Sequence, residues 1–362
     1  MKVAFVTTMK RPDAPVPSGD RTFARLILAA LERAGHAVVM PAHCSTWCKT
    51  PDGFAAMREG ALAAAETAVR DLAAAPPDAV LTYHNYHKGP DIVGPELAAA
   101  FGVPYAIVEA SRAPSRADGP WAEGFRAADA ALEAAGAIGA VTKRDRPALD
   151  AFAPEKVLDL PPFIDTEPFV APASSDGRHV VCAAMMRAGR KAESLRVLAA
   201  AFALVRAAEP GIRLTVAGDG EARGDLEPLF APGTFVGLLD QPALAALFAR
   251  ADLFVWPAIE EPFGFVFLEA QAAGLPVVGG ASRGVVDVVR DGETGLLVAP
   301  EDPQAIAEAM LTLIRDPDRR AAMAAAARRL AQNNDLAAGA VRLDGLLHHA
   351  AAHRRRLAGA AG

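Results

Sequence analysis

Cysteine is scarce: Cys44, Cys48 and Cys182 are the only three among 362 residues. An odd, sparse count excludes a disulfide framework and suits a reducing compartment. A basic excess is also missing, with 37 Lys and Arg against 43 Asp and Glu and a net charge of −6. Residues 1–165 carry 17 against 20 and residues 166–362 carry 20 against 23, so each half stands at −3. Charge therefore points to neither nucleic acid nor an anionic membrane surface. No uninterrupted apolar run approaches the length of a bilayer-spanning helix. The opening MKVAFVTTMKRPD reaches Lys10 and Arg11 before any long apolar run, so it is not read as a secretory signal. The expected location is cytoplasmic, free or peripheral to the inner membrane. Repeats of solenoid period are absent as well.

What the chain does have is apolar content in alternating pieces. It is 52% hydrophobic and 22% charged, with a mean hydropathy of +0.18, which excludes a disordered or collagen-like polymer. Its length exceeds what one core usually organises, so two domains of about 150–200 residues are expected. KVAFVTT (2–8), AVVMPA (37–42), AVLTYH (79–84), PYAIVEA (104–110), AIGAVT (137–142) and KVLDLPP (156–162) read as strands. Arg21 to Arg33 reads as a helix closed by Gly35. Continuous apolar strands separated by helices signal a parallel sheet covered on both faces, which binds ligands beyond the carboxyl ends of its strands.

The alternation breaks in DLPPFIDTEPFVAPASSDGRH (159–179), where prolines and small polar residues cluster. It resumes with HVVCAAM (179–185), RLTVAG (213–218), TFVG (234–237), LFVWPA (253–258), PVVGG (276–280) and GLLVAP (295–300). The predicted class is α/β: a Rossmann-like domain over 1–165, a linker over 166–178 and a second Rossmann-like domain over 179–334. A helix over 335–362 has no strand after it and is expected to pack back on the first domain.

The segment WPAIEEPFGFVFLEAQAAGLPVV (256–278) carries the most chemistry. Strand LFVWPA ends at Pro257 and Ala258, and a turn holds Glu260 and Glu261. A helix is expected from about Pro262 until Gly274 and Pro276 stop it. Its first N–H groups, around Phe263, Gly264 and Phe265, form an anion site, and Gly264 lets a ligand come close to the backbone. Glu261 and Glu269 lie eight residues apart. Along a helix that is about 12 Å, too far for an acid and base sharing one bond, which need about 5–9.5 Å. Two contacts on one elongated ligand with an anionic middle fit the spacing. An amphipathic helix with two solvated glutamates is the alternative.

These residues resemble the Glu-x7-Glu motif of retaining GT-B nucleotide-sugar glycosyltransferases, particularly glycosyltransferase family 4. VAGDGEARGDLEPL (216–229), FVGLL (235–239) and LAALFARADLFVWPA (244–258) look like the blocks before it, and GVVDVVRDGETGLLVAPEDPQAIAEAM (284–310) like the block after it. The resemblance implies a GT-B fold, with two Rossmann-like doubly wound domains facing across a cleft. It also implies retaining transfer of a sugar from a UDP-, GDP- or ADP-linked donor to an acceptor hydroxyl of unknown identity. An inactive nucleotide-sugar-binding protein and a sugar-nucleotide epimerase are the rival readings.

Position by position, the resemblance gives Glu269 the donor ribose, and gives Glu261, with the backbone at Phe263 and Gly264, the donor sugar. Lys191, in MMRAGRKAESL, would neutralise the diphosphate, so neither a metal nor a cofactor is expected. Five residues before that lysine the family carries an arginine. Here the position is Met186, which leaves Arg187 or Arg190 to substitute or to be solvated surface charge.

In the first domain, PSGDRTFARLILAALERAGHAV (17–38) resembles the family's first loop and helix. Gly19 would be the small residue near the diphosphate, or a plain turn glycine. TYHNYHKG (82–89) offers His84 and His87, with His84 the candidate catalytic histidine or a bland loop residue. After PYAIVEA the family's sugar-proximal histidine is replaced by Glu109-Ala110-Ser111-Arg112, and Ser111 stands nearest that position. Other features are set aside. His43, Cys44 and Cys48 lack a fourth metal ligand, and GDG at 218–220 is not a dinucleotide fingerprint. His348, His349, His353 and Arg354 to Arg356 read as a solvated helix face, with a lipid-headgroup contact as the lesser alternative.

Overall fold

A computed structural model describes residues 1–16, 18–169 and 176–360, so residues 170–175 of the expected linker lie outside it. The chain divides into two units, Met1–Pro162 with Leu336–Gly362, and Phe163–Asp335. Among the described residues no helix is long and apolar enough to cross a membrane.

The first unit opens with β1 (Lys2–Thr7), α1 (Gly19–Arg33), β2 (Ala37–Val39), α2 (Phe54–Leu72) and β3 (Ala79–Asn85). It continues through α3 (Val93–Phe101), β4 (Tyr105–Ala110), α4 (Ala122–Ala134), β5 (Ala137–Ala140), α5 (Arg146–Asp150) and β6 (Val157–Asp159). The sheet is parallel, in the order β2-β1-β3-β4-β5-β6. Every residue of β3 is buried, as a strand covered on both faces requires. The Ala-rich α2 turns Ala61, Ala65, Ala68 and Leu72 inward at helical spacing, and small side chains let it lie close to the sheet.

The second unit runs β7 (His179–Ala183), α6 (Arg190–Ala208), β8 (Arg213–Ala217), α7 (Arg223–Leu226), β9 (Thr234–Gly237) and α8 (Gln241–Phe248). It then adds β10 (Leu253–Trp256), α9 (Phe265–Ala272), β11 (Val277–Gly280), α10 (Val285–Val288) and β12 (Gly295–Val298). Two helices, α11 (Pro303–Arg315) and α12 (Pro317–Gln332), close it. Its sheet is also parallel, in the order β12-β11-β10-β7-β8-β9. The core is aromatic along β10 and α9, where Phe254 meets Phe248 and Phe267 edge-on at 5.7 and 5.4 Å.

The last helix, α13 (Leu336–Ala360), belongs to the first unit and packs against α1, β4 and β5. Leu343, Leu346, Leu347 and Ala350 form its buried stripe. A glycine is needed opposite: a Cβ on Gly136 would stand 2.9 Å from the Ala350 carbonyl oxygen.

Both sheets reverse their winding once, and the reversal places the chemistry. In the first, β2 lies on one side of β1 and β3 on the other. In the second, the chain winds from β7 outward to β9 and returns to place β10 on the other side of β7. Loops leaving the carboxyl ends of strands on either side of such a reversal diverge and leave a crevice. The loop after β7 leads to Lys191, and the loop after β10 carries Glu261.

Candidate functional site

The loop after β10 passes through left-handed backbone at Ala258 (φ 55°), Glu260 (φ 57°) and Gly264 (φ 67°). Non-glycine residues hold that conformation at a cost of about 1–3 kcal/mol each, and only where their surroundings impose it. Two anchors are visible. The Ile259 N–H donates to Ser194 Oγ at 3.0 Å, and that hydroxyl donates to the Arg190 carbonyl at 2.8 Å, which pins the loop to α6. The Gly284 N–H donates to the Glu261 carbonyl at 2.9 Å, which pins it to the stretch before α10. Because Gly264 is left-handed it caps α9, so the helix starts at Phe265 and not near Pro262. Glu261 is therefore off the helix, and the helical rise between the two glutamates does not apply to this pair.

Lys191 Nζ forms an ion pair with Glu261 Oε2. The Trp256 indole N–H donates to the same oxygen at 3.3 Å, and the ammonium lies 5.3 Å from the indole centroid. The two charged side chains are only 27% and 14% exposed. Lys191 occupies the first turn of α6, where the helix dipole disfavours a cation. The ammonium and the first N–H groups of α6 thus add their positive potentials, an arrangement that a bound anion relieves.

Glu269 lies one turn into α9. Its carboxylate has no hydrogen-bond or ion-pair partner among the described residues, and burial pushes its pKa up to about 7. Gln271 holds the helix in place by donating to the Phe267 and Val288 carbonyls at 3.1 and 2.9 Å. Phe263 and Phe265 stack at 5.3 Å around Gly264.

Met186 is fully buried. Its N–H donates to the Asp219 carbonyl at 2.9 Å, and its own carbonyl accepts from the Ala222 N–H at 3.0 Å. A Cβ on Gly218 or Gly220 would strike the Ala184 or Met186 backbone, so the glycines of GDG serve this loop packing. Arg190 stands within 2.8–3.4 Å of Glu193, Glu260 and Glu301 and is already surrounded by carboxylates. Arg187 also has interactions of its own.

In the first unit, Gly19 opens α1 behind the Ser18 cap, whose Oγ accepts from the Arg21 N–H at 3.2 Å. His84, next to last in β3, has φ 73° and is 5% exposed. Its Nδ1 is 3.3 Å from Glu109 Oε2 and its Nε2 is 3.8 Å from Asp20 Oδ1. The Ser111 N–H donates to the Asn85 carbonyl at 3.0 Å. Arg112 makes a two-bond fork to Asp129 at 3.0 and 2.8 Å, which uses its guanidinium structurally. His87 packs edge-on against Tyr86 and Trp121, each at 5.6 Å.

Burial raises the Cys44 and Cys48 thiols above their usual range, and among the described residues no group of His, Cys, Asp and Glu is placed to hold a metal. The basic stretch of α13 is not wholly solvated as expected: His349 Nε2 lies 2.8 Å from the Glu155 carbonyl, and Arg354 donates to the Val103 carbonyl at 3.3 Å. Sequence reasoning assigned nothing to Trp256, Ser194 or Asp20. Ser194 stands one turn after Lys191, a spacing that could have marked it.

Residues 177–316 match the family described as glycosyl transferases group 1. Sulfoquinovosyl transferase of Arabidopsis thaliana is 34% identical over 139 residues, 37% of this chain and 27% of that protein. D-inositol 3-phosphate glycosyltransferase of Thermobispora bispora is 38% identical over 168 residues, 42% of this chain and 39% of that protein. The matches thus span well under half the length of these curated relatives. Among solved structures, sucrose-phosphate synthase from Thermosynechococcus elongatus superposes with a TM-score of 0.73 at 21% identity, over 100% of both chains. Anabaena HepE in complex with UDP gives 0.69 at 18% identity, over 96% of this chain and 100% of the other. Residues 177–316 thus resemble the glycosyl transferases group 1 family, in a chain with the GT-B fold.

Proposed function

We propose that the protein is a retaining glycosyltransferase that moves a sugar from a nucleoside-diphosphate donor to an acceptor hydroxyl. One observation carries the reading: Lys191 and Glu261 meet at the switch point of the second sheet, and Glu269 waits unpartnered one turn into the adjoining helix. Breaking the sugar–phosphate bond leaves charge on the diphosphate. Lys191 and the helix N-termini counter it, so the reaction is proposed to run without a metal. Ionised Glu269 accepts the ribose hydroxyls. Glu261 is released to the donor sugar as the diphosphate draws Lys191 away.

Glu261 already engages a cation and an indole, which supports a front-face displacement over a covalent glycosyl-enzyme. The bond from the anomeric carbon to phosphate breaks, the bond to the acceptor oxygen forms on the same face, and the acceptor proton passes to the departing phosphate. HepE, of the same fold, was solved with UDP and with UDP-glucose, which makes nucleotide sugars the first donors to try; UDP-, GDP- and ADP-linked sugars are the proposed set.

The buried Met186 and the carboxylate-ringed Arg190 favour a second reading, a protein that binds a nucleotide sugar without turning it over. Nucleotide release from UDP-, GDP- and ADP-sugars, measured without acceptor, separates the two. Slow release, with retained configuration in the product, is expected. Tight binding with no release from any donor favours the binder, and a glycosyl adduct on Glu261 in the intact mass contradicts front-face transfer.

A further inference from the structure

β10 ends on Trp256, the largest of the fully buried side chains among the described residues, at 1% exposure. A buried indole needs an acceptor for its N–H. Side chains mostly find such partners on the backbone or in ordered water. The Trp256 N–H instead meets Glu261 Oε2 at 3.3 Å, five residues further along and beyond the end of the strand. The ring serves a second partner. Lys191 Nζ stands 5.3 Å from its centroid, inside the range over which an aromatic face attracts an ammonium. One side chain thus touches both members of the ion pair, the cation through its face and the acid through its edge.

These contacts matter because the pair has little else. Among the described residues, Lys191 Nζ has no hydrogen-bond or ion-pair partner besides Glu261, and the Glu261 carboxylate has none besides Lys191 and Trp256. The backbone of Glu261 is fixed from the other side, where its carbonyl accepts from the Gly284 N–H. A lysine stem has many rotamers, and ordering it in advance lowers the cost of binding an anion. Once a diphosphate draws the ammonium away, the indole N–H is the donor left on the carboxylate. Packing alone does not call for that N–H, since a phenylalanine fills most of the same space without it.

We propose that Trp256 is a positioning residue with two separable duties. Its ring presets the Lys191 ammonium for a diphosphate, and its N–H keeps Glu261 aimed after that ammonium has gone. The second duty rests on the transferase reading above; the first needs only a bound diphosphate. Trp256→Phe keeps a ring beneath the ammonium and removes the N–H, whereas Trp256→Leu removes both, so the two variants divide the duties between them.

Titration calorimetry with inorganic pyrophosphate reads the first duty, and nucleotide release from UDP-, GDP- and ADP-glucose without acceptor reads the second. The Phe variant should bind pyrophosphate within about twofold of the unmodified chain and release nucleotide about 10–100-fold more slowly. The Leu variant should be as slow and should also bind pyrophosphate about 3–30-fold more weakly. The same pyrophosphate affinity in the two variants, or unchanged release in the Phe variant, overturns the proposal. A chain carrying Trp47→Phe and Trp121→Phe keeps Trp256 as its one indole and leaves the site untouched. Its emission should change over the pyrophosphate concentrations that saturate the calorimetric signal; constant emission contradicts an ammonium that shifts over this ring. If the unmodified chain binds pyrophosphate but turns over no donor, the transferase reading falls together with the Glu261 duty, and the Phe and Leu affinities still decide the Lys191 duty. No pyrophosphate binding at all overturns both.

Discussion

Lys191 and Glu261 stand 70 residues apart in the chain and meet as an ion pair over the indole of Trp256. Sequence reasoning gave the two separate duties, cation for diphosphate and acid for sugar. On the proposed transferase reading, their pairing makes the carboxylate a placeholder that holds the ammonium in position until a diphosphate replaces it.

Replacing Lys191 by Ala removes that cation and leaves Glu261 unpaired. Inorganic pyrophosphate, read by titration calorimetry, should bind about 10–100-fold more weakly, the loss of one charged hydrogen bond. Glu261→Gln frees the ammonium, so pyrophosphate should bind as well as before or better. Equal losses in both variants contradict the placeholder role.

Glu269→Ala should weaken nucleotide binding, whereas Glu261→Ala should mainly slow transfer. Dissociation constants for the nucleotide and single-turnover rates separate these effects. Binding losses of the same size in both variants contradict the division between ribose and sugar.

Burial raises the Glu269 carboxyl from its ordinary 4.5 to about 7. Between those values the unfolded chain has lost the proton that the folded chain keeps. Folding is therefore favoured below the window and loses up to about 3 kcal/mol as pH rises through it. Urea unfolding at about pH 5 and about pH 7.5 should show this fall, and Glu269→Gln should remove it. On the proposed ribose contact, binding of a nucleotide sugar should run the other way, tightening as Glu269 ionises, because the carboxylate accepts both ribose hydroxyls. A slope unchanged in the Gln variant contradicts the assignment.

Ser194→Ala deletes the hydroxyl that links Arg190 to Ile259 and orphans a buried N–H. A loss of about 1–3 kcal/mol in urea unfolding is expected, together with weaker nucleotide binding as the loop after β10 relaxes. Unchanged stability would mean that the left-handed turns are held by something else.

The alternation of apolar runs and helices was legible because the central strands, β3, β5, β10 and β11, are buried along their whole length, so composition carries the pattern directly. The site was legible only in part. Glu261, Glu269 and Lys191 stand at readable spacings, but spacing says nothing about pairing, which depends on β7 and β10 being neighbours in the sheet. The start of α9 was misread because Pro262 suits a first helical turn, while the left-handed Gly264 forbids a helix through it. Arg190 was a candidate cation because the carboxylates around it come in part from distant loops. Asp20 gave no signal and Glu109 stood out only as part of the departure from the family's histidine, since their proximity to His84 is made by two strained strand ends and a helix start.

Thermal shift of the full chain against UDP, GDP, ADP and dTDP reads the proposed donor site directly. One nucleoside diphosphate should raise the melting temperature progressively with its concentration, as ligand bound only to the folded state must. Lys191→Ala and Glu269→Ala should each lose most of that rise. No response to any of the four, or a full response in both variants, would contradict a donor gripped between Lys191 and Glu269.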